Sequence, residues 1–218
     1  MRTFRSAKTS IAGAVAILCY GIHAAFHLSR GEPQDLLWAC HIAALLVGLG
    51  LLFRSAELNA TGLLWSSFGT ALWILDLATG GEWIPTALLT HVGALAFGIL
   101  GVRQLGMPRH AAFKATAAFV PLWALTRAVT PAWANVNVAF SVYQGWERTF
   151  TSYPPYFAML IVIGFATFSV VERLMRLILI DGQSNARPPR LRQGYGASAV
   201  ARRQARERRR KGRAYAAQ

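Results

Sequence analysis

Residues 36–54, LLWACHIAALLVGLGLLFR, contain no charged side chain until the last position, Arg54. About 20 mostly apolar residues are what an α-helix needs to cross the hydrocarbon core of a bilayer, which is about 30 Å thick. Because lipid offers the backbone no hydrogen-bond partner, a segment in that core must be helical. The stretch therefore predicts a membrane-spanning helix with a cysteine and a histidine, Cys40 and His41, near its beginning.

Similar apolar blocks recur along the chain. Of its 218 residues, 54% are hydrophobic and 15% are charged, against about 25% charged in an average soluble domain. The pattern predicts an all-α, polytopic membrane bundle of about six transmembrane helices within residues 1–182. The predicted spans are 8–28, 36–54, 60–79, 83–103, 111–130 and 154–180. Both cysteines, Cys19 and Cys40, lie inside apolar runs, so no disulfide framework is indicated.

The distribution of Lys and Arg among the short loops predicts an orientation, because positive charge near span ends is retained in the cytoplasm. One side collects Arg2, Arg5, Lys8, Arg54, Arg103, Arg109, Lys114, Arg173 and Arg176, and the other has only Arg30, Arg127 and Arg148. The acidic residues Glu32, Asp35 and Glu82 follow the opposite trend. We therefore expect a protein of the bacterial inner membrane with both termini in the cytoplasm.

Residues 183–218 differ in composition from the rest of the chain. They are rich in Arg, Gly, Ser, Gln and Pro and nearly free of large aliphatic side chains, which predicts a disordered basic cytoplasmic tail. Its charge favours contact with anionic lipid headgroups. Nucleic acid is the less favoured partner because no recognition module accompanies the charge. The sequence specifies no oligomeric state.

Ionisable residues gather in the predicted outer half of the bundle. In the first helix Cys19, His23 and His27 are spaced by four and form one stripe. Three further helices add Cys40, His41, Asp76 and His91 at similar depth. Embedded ionisable groups are costly and usually face the bundle interior or a water-filled cavity. The pattern predicts an outward-facing polar pocket that includes His23, His27, His41, Asn135 and Asn137, covered by the segment 131–153.

Several chemistries fit these residue types. Cys40 as nucleophile, His91 as base and Asp76 as the orienting group would suit acyl transfer or lipid-ester hydrolysis. His23 and His27, four residues apart, are a usable ligand pair for a metal or haem that His41, His91 or Asp76 would complete. A proton-linked transporter or channel could use the stripe with Asp76. A structural scaffold would need these side chains only for interhelical hydrogen bonds. The sequence specifies no cofactor and no particular metal.

Four short motifs resemble a poorly characterised family of bacterial multi-pass membrane proteins. They are Leu37-Trp38-Ala39-Cys40-His41-Ile42-Ala43, Leu72-Trp73-Ile74-Leu75-Asp76, Leu89-Thr90-His91-Val92 and Asn135-Val136-Asn137-Val138-Ala139-Phe140. This resemblance implies a multi-span bundle without an established activity. The chain is also distantly similar to the androgen-induced family of membrane fatty-ester hydrolases, which implies an embedded nucleophile–histidine pair in a bundle of helices.

Overall fold

The computed structural model describes residues 2–186, with side chains described for residues 7–178. Within that range the protein is all-α, with six α-helices and no strand, which confirms the all-α part of the predicted fold class. The helices are α1 (Arg2–Ser29), α2 (Ala39–Leu52), α3 (Ala56–Ala78), α4 (Ala94–Leu105), α5 (Ala111–Val129) and α6 (Tyr153–Ala186). A π-helical turn, Leu89–Gly93, leads into α4. Most of the predicted basic tail, residues 187–218, lies outside the described residues.

Two helices begin later than the sequence predicts. Pro33 opens a 3₁₀ turn, Pro33–Leu37, and the extended backbone of Trp38 separates this turn from α2. Pro85 lies in a turn before the π-helical segment of α4. A proline fixes φ and lacks an N–H group, so each one starts a new helical segment instead of continuing one. As a result α2 has 14 residues, a length of about 21 Å at 1.5 Å per residue.

By length and composition, two helices qualify as membrane spans: α1 over Ala7–Ser29 and α6 over Tyr153–Ile178. The segments Ala39–Leu52 and Leu89–Leu105 are apolar but shorter. Helices α3 and α5 are long, with 23 and 19 residues, but their mean hydropathy is lower than that of a membrane span. The count of six spans therefore stays a prediction.

Close contacts between helix backbones hold the centre of the bundle together. A Cβ added at Gly13 in α1 would lie 2.8 Å from the Gly48 carbonyl oxygen in α2. A Cβ at Gly62 in α3 would lie 2.7 Å from the Ala43 carbonyl oxygen, also in α2. Small residues at such crossings let helices pack without large side chains between them, which is common among helices in membranes. Helix α2 is thereby fixed between α1 and α3.

The direction of the chain places the polar residues at one end of the bundle. Helices α1, α3 and α5 end there, and α2, the π-helical turn and α6 begin there. We call this the histidine end. The segment between α5 and α6 lies at the same end, because Asn137 accepts a hydrogen bond from the Ala39 N–H at the start of α2 (2.8 Å). At the opposite end α4 is joined to α5.

Candidate metal centre

Three buried histidines meet at the histidine end, and we call them the three-histidine cluster: His23 and His27 of α1 and His41 of α2. Their exposed fractions are 1%, 4% and 7%. One ring nitrogen from each lies within 4.8 Å of the others, and the Nε2 atoms of His23 and His41 are 2.9 Å apart. The spacing of four residues on α1 puts two of the rings on one helix face, with centroids 4.6 Å apart.

Hydrogen bonds fix which nitrogen of two of these rings carries the proton. The Nδ1 atom of His41 is 2.7 Å from the Asp35 carbonyl oxygen, which can only accept. The Nδ1 atom of His27 faces the Glu32 carboxylate at 3.1 Å and that of Asp35 at 3.5 Å. A neutral imidazole with its proton on Nδ1 has a bare lone pair on Nε2. In His27 this Nε2 is buried and has no hydrogen-bond partner.

The third ring can adopt either tautomer. The Nδ1 atom of His23 is 2.8 Å from the Thr86 hydroxyl, and a hydroxyl both donates and accepts. With the proton on Nε2, His23 donates to the Nε2 lone pair of His41. With the proton on Nδ1, His23 donates to Thr86 and presents a third Nε2 lone pair to the cluster.

Acidic residues border the cluster on its solvent side. Glu32 and Asp35 have side chains that are 28% and 24% exposed, and burial raises the pKa of the Asp35 carboxyl. Arg30 donates to both carboxylate oxygens of Glu82, at 2.6 and 3.0 Å, and to Glu32 at 3.1 Å. The bond from Arg30 lowers the pKa of Glu82. This clamp ties the loop after α1 to the loop after α3.

Cys40, His41 and His91 form a second group of potential ligands, which we call the thiol group. One ligand atom from each lies within 4.8 Å of the others. The His91 ring lies flat on Trp73, with centroids 4.8 Å apart and planes 5° apart, and its Nδ1 is 3.5 Å from the Thr70 hydroxyl. His91 lies in the π-helical turn, a distortion that is frequent at functional sites.

Asp76 does not join either group. Its carboxylate accepts a hydrogen bond from the Tyr143 hydroxyl at 2.8 Å, and no hydrogen bond joins it to His91 in the described part of the chain. The structure thus brings together Cys40 and His91, two of the three predicted catalytic residues. The third predicted role, orientation of His91 by Asp76, has no contact to support it.

Both predicted asparagines make structural hydrogen bonds. Asn137 is buried, and besides accepting from Ala39 it donates to the Leu37 carbonyl at 2.7 Å and the Thr126 hydroxyl at 2.9 Å. Asn135 has a positive φ of 43°, and its side-chain oxygen accepts from two backbone N–H groups that follow it. These residues fix the segment between α5 and α6 against the start of α2. Cys19 is a free thiol one turn before His23.

Sequence reasoning missed the partners of the histidines. From the sequence, Glu32 and Asp35 contribute only to the predicted orientation in the membrane, and no role is predicted for Thr70 or Thr86. A signal was present, since two carboxylates follow His27 within eight residues and ligand histidines commonly donate their second nitrogen to a carboxylate or carbonyl oxygen. The contact between His41 and Asp35 depends on the 3₁₀ turn, which the sequence pattern does not predict.

No protein-family model matches this chain, and no match emerges among curated proteins or solved structures. A function for this chain is therefore inferred from the geometry of the site.

Proposed function

We propose that this chain is a multi-pass protein of the bacterial inner membrane that binds a transition-metal ion at the three-histidine cluster. One observation carries the proposal. His27 and His41 each have Nδ1 engaged by an oxygen acceptor, so both offer Nε2 lone pairs, and that of His27 is buried without a hydrogen-bond partner. A buried polar atom without a partner is costly. A bound cation would satisfy it.

The distances favour a single ion of the zinc class. Zinc–nitrogen bonds of about 2.0–2.1 Å at tetrahedral angles place two ligand nitrogens about 3.3 Å apart. The 2.9 Å between the Nε2 atoms of His23 and His41 needs to widen by only about 0.4 Å. Two axial bonds across a haem iron would require about 4 Å, twice a metal–nitrogen bond, with a macrocycle between the rings. A small ion therefore fits these side chains better than a haem.

The side chains of Glu32 and Asp35 and the Asp35 carbonyl would orient the histidine ligands, because they accept hydrogen bonds from the ring nitrogens that do not bind the ion. Carboxylate and carbonyl acceptors on the far nitrogen fix the ring orientation and raise the basicity of the ligating nitrogen. They also place negative charge near the cation, which lowers the cost of bringing a divalent ion to a partly dry site. What the ion would supply there is a Lewis-acidic centre; the chain's own residues orient and shield it.

Membrane insertion is supported by the apolar outer surface of the helices. Large apolar side chains point outward, with Val162, Phe113 and Ile11 each at least 63% exposed, while Asn59, Thr90 and Thr126 are fully buried. Monomeric soluble proteins rarely expose extended apolar surface, whereas a bilayer favours it. With α1 and α6 as full-length spans, the four helices between them would complete six crossings, and the positive loops orient both termini to the cytoplasm.

The thiol-hydrolase interpretation has one favourable observation, the proximity of Cys40 and His91. A catalytic cysteine also needs a base that is oriented by a third group and a means of forming the thiolate. Thr70 is the hydrogen-bond partner of His91, and no cation or carboxylate among the described residues takes the orienting position. Metal binding explains more of the observed hydrogen bonds and burial at the histidine end than a thiol hydrolase does.

The test is metal content and affinity of the detergent-purified protein. We expect one tightly bound Zn²⁺ per chain after reconstitution and dialysis, its loss in His41→Phe and weaker binding in His27→Phe; both variants keep a ring of similar size. His110→Asn is the matched control, because His110 is an exposed histidine with a positive φ of 56° that Asn tolerates. A wild-type protein that binds no Zn²⁺, or a His27→Phe protein with unchanged affinity, would overturn the proposal.

A further inference from the structure

We propose that the protein has a second metal position at the thiol group, and that a borderline-soft divalent cation reaches it from outside by way of the three-histidine cluster. This inference rests on the proposed metal binding and adds the path and the class of ion. Its basis is that three sets of potential ligands overlap. An outer set contains His27, Glu32 and Asp35; the middle set is the three-histidine cluster; the inner set is the thiol group.

The overlaps define a continuous path. The outer and middle sets share His27, and the middle and inner sets share His41. Ring centroids along this path are 5.4 Å apart between His27 and His41 and 6.2 Å apart between His41 and His91. The carboxylates face His27 Nδ1 and the cluster uses Nε2, so an ion passes from the carboxylates onto the Nε2 atoms of the cluster. From there it can pass to the thiol group while His41 stays bonded.

Exposure and chemistry both change along the path. The outer set has two half-buried carboxylates, Glu32 and Asp35, beside the buried His27, whereas the inner set has two buried histidines beside the half-buried Cys40. Donors change from two oxygens and a nitrogen, to three nitrogens, to a sulfur and two nitrogens. Oxygen donors suit hard ions such as Mg²⁺ and Ca²⁺, while thiolate and imidazole select Zn²⁺ and softer ions. The inner set is thus the selective position, and the outer set is the entrance.

Local packing fixes the positions of Cys40 and the His91 ring. A Cβ added at Gly69 of α3 would lie 2.5 Å from the Cys40 Cβ, so the absence of a side chain at position 69 lets Cys40 pack there. Trp73 holds the His91 ring in plane. The Thr70 hydroxyl faces His91 Nδ1, which leaves Nε2 as the nitrogen available for coordination.

Transfer from the middle to the inner position balances without a redox partner. The bonds from the ion to His23 and His27 break, the bond to His41 remains, and bonds to Cys40 Sγ and to His91 form. The Cys40 thiol loses its proton when its sulfur coordinates. That proton leaves to solvent through the outer set, and the oxidation state of the ion does not change.

Co²⁺ is the probe for the inner position, because a thiolate bonded to Co²⁺ gives a charge-transfer band in the near ultraviolet that imidazole ligands do not give. We expect this band on adding Co²⁺ to the wild-type protein. In Cys40→Ser the band should vanish while one Co²⁺ stays bound at the histidines. Cys19→Ser is the matched control and should keep the band.

Each outcome separates the two proposals. Bound Co²⁺ without the band in wild type, or a band that persists in Cys40→Ser, would overturn the inner position and leave the three-histidine site standing. Failure of the wild-type protein to bind Co²⁺ and Zn²⁺ would overturn both.

A second measurement tests the entrance. In a stopped-flow experiment with Zn²⁺, the double variant Glu32→Gln with Asp35→Asn should bind at least about tenfold more slowly, since acidic side chains at a cleft raise the local concentration of cations. Glu147→Gln removes one exposed carboxylate from the segment between α5 and α6 and should leave the rate unchanged. An unaltered rate in the double variant would show that the ion enters elsewhere.

Discussion

The two ends of the bundle both contain partly or fully buried polar groups, yet they use them differently. At the opposite end Glu172 accepts from the Ala112 N–H at 2.8 Å and from Arg176 at 2.6 Å. Arg176 also donates to the carbonyls of Met107 and Pro108. Each of these polar groups is hydrogen-bonded to another, and together they fix α6 to the start of α5. At the histidine end the buried nitrogens converge on each other and one has no partner.

This difference shows that the burial of polar groups does not by itself identify a functional site. Asn59 illustrates this, because its side-chain oxygen is also buried without a partner. Its amide nitrogen, however, donates to the Gly98 carbonyl at 3.0 Å. A site needs several potential ligand atoms that converge, as the ring nitrogens of His23, His27 and His41 do.

The largest expected effect on stability lies at the opposite end. Glu172→Ala removes the acceptor of the Ala112 N–H and the partner of Arg176, and it should lower the free energy of unfolding by about 2–3 kcal/mol. Zn²⁺ affinity should not change. Unfolding by detergent titration and a Zn²⁺ competition assay measure the two quantities.

Glu57→Ala is the control for that measurement. Glu57 pairs with Lys114 at 2.6 Å at the same end, but both side chains are about half exposed, so its loss should cost less than about 1 kcal/mol. If Glu172→Ala also abolished Zn²⁺ binding, the two ends would be coupled and the comparison between them would fail.

An intermediate effect is expected for Thr86→Val, and it concerns the affinity for Zn²⁺ alone. Thr86→Val removes the hydroxyl that contacts His23 Nδ1 and keeps the side-chain volume. Loss of such a partner behind a ligand typically weakens metal binding by about 10–100-fold, so we expect at least a tenfold rise in the Kd for Zn²⁺. Competition with a chromophoric chelator measures it.

Thr79→Val is the matched control, since the exposed Thr79 hydroxyl donates only to backbone carbonyls at the end of α3. It should leave the Kd unchanged. Equal affinities for Thr86→Val and wild type would indicate that His23 is not a ligand, and the metal site would then depend on His27 and His41.

The sequence predicted the helices better than it predicted the site. Apolar blocks indicated six helices in the correct order, and the spacing of His23 and His27 placed them on one face, because both inferences depend on short-range periodicity. The contact between His41 and the Asp35 carbonyl depends on a turn that starts at Pro33. The position of His91 depends on a π-helical turn. The prolines mark where new helical segments begin, but which atoms the turn and the π-helical segment bring together leaves no periodic pattern in the sequence.

The smallest expected effect concerns the clamp between Arg30 and Glu82, at the solvent boundary of the histidine end. The hydrogen bond from Arg30 lowers the pKa of Glu82 below its ordinary value of 4.5. A carboxyl whose folded-state pKa is lowered stabilises the fold above its unfolded value and loses that contribution as the pH falls through the folded value. The thermal midpoint of wild type should therefore exceed that of Glu82→Gln slightly at neutral pH, and the difference should disappear as the pH falls through the lowered pKa of Glu82.

Salt provides an independent check on the same pair. Arg30 and Glu82 are exposed enough for ions to screen them, so raising the ionic strength to about 1 M should also shrink the difference between the two midpoints at neutral pH. Glu147→Gln, which removes an exposed carboxylate outside the clamp, should show no comparable loss of difference with acid. If the difference in thermal midpoint persisted at low pH, the Glu82→Gln substitution would act on the loop through packing and not through charge. The contact between Arg30 and Glu82 would then stabilise the loop by packing alone.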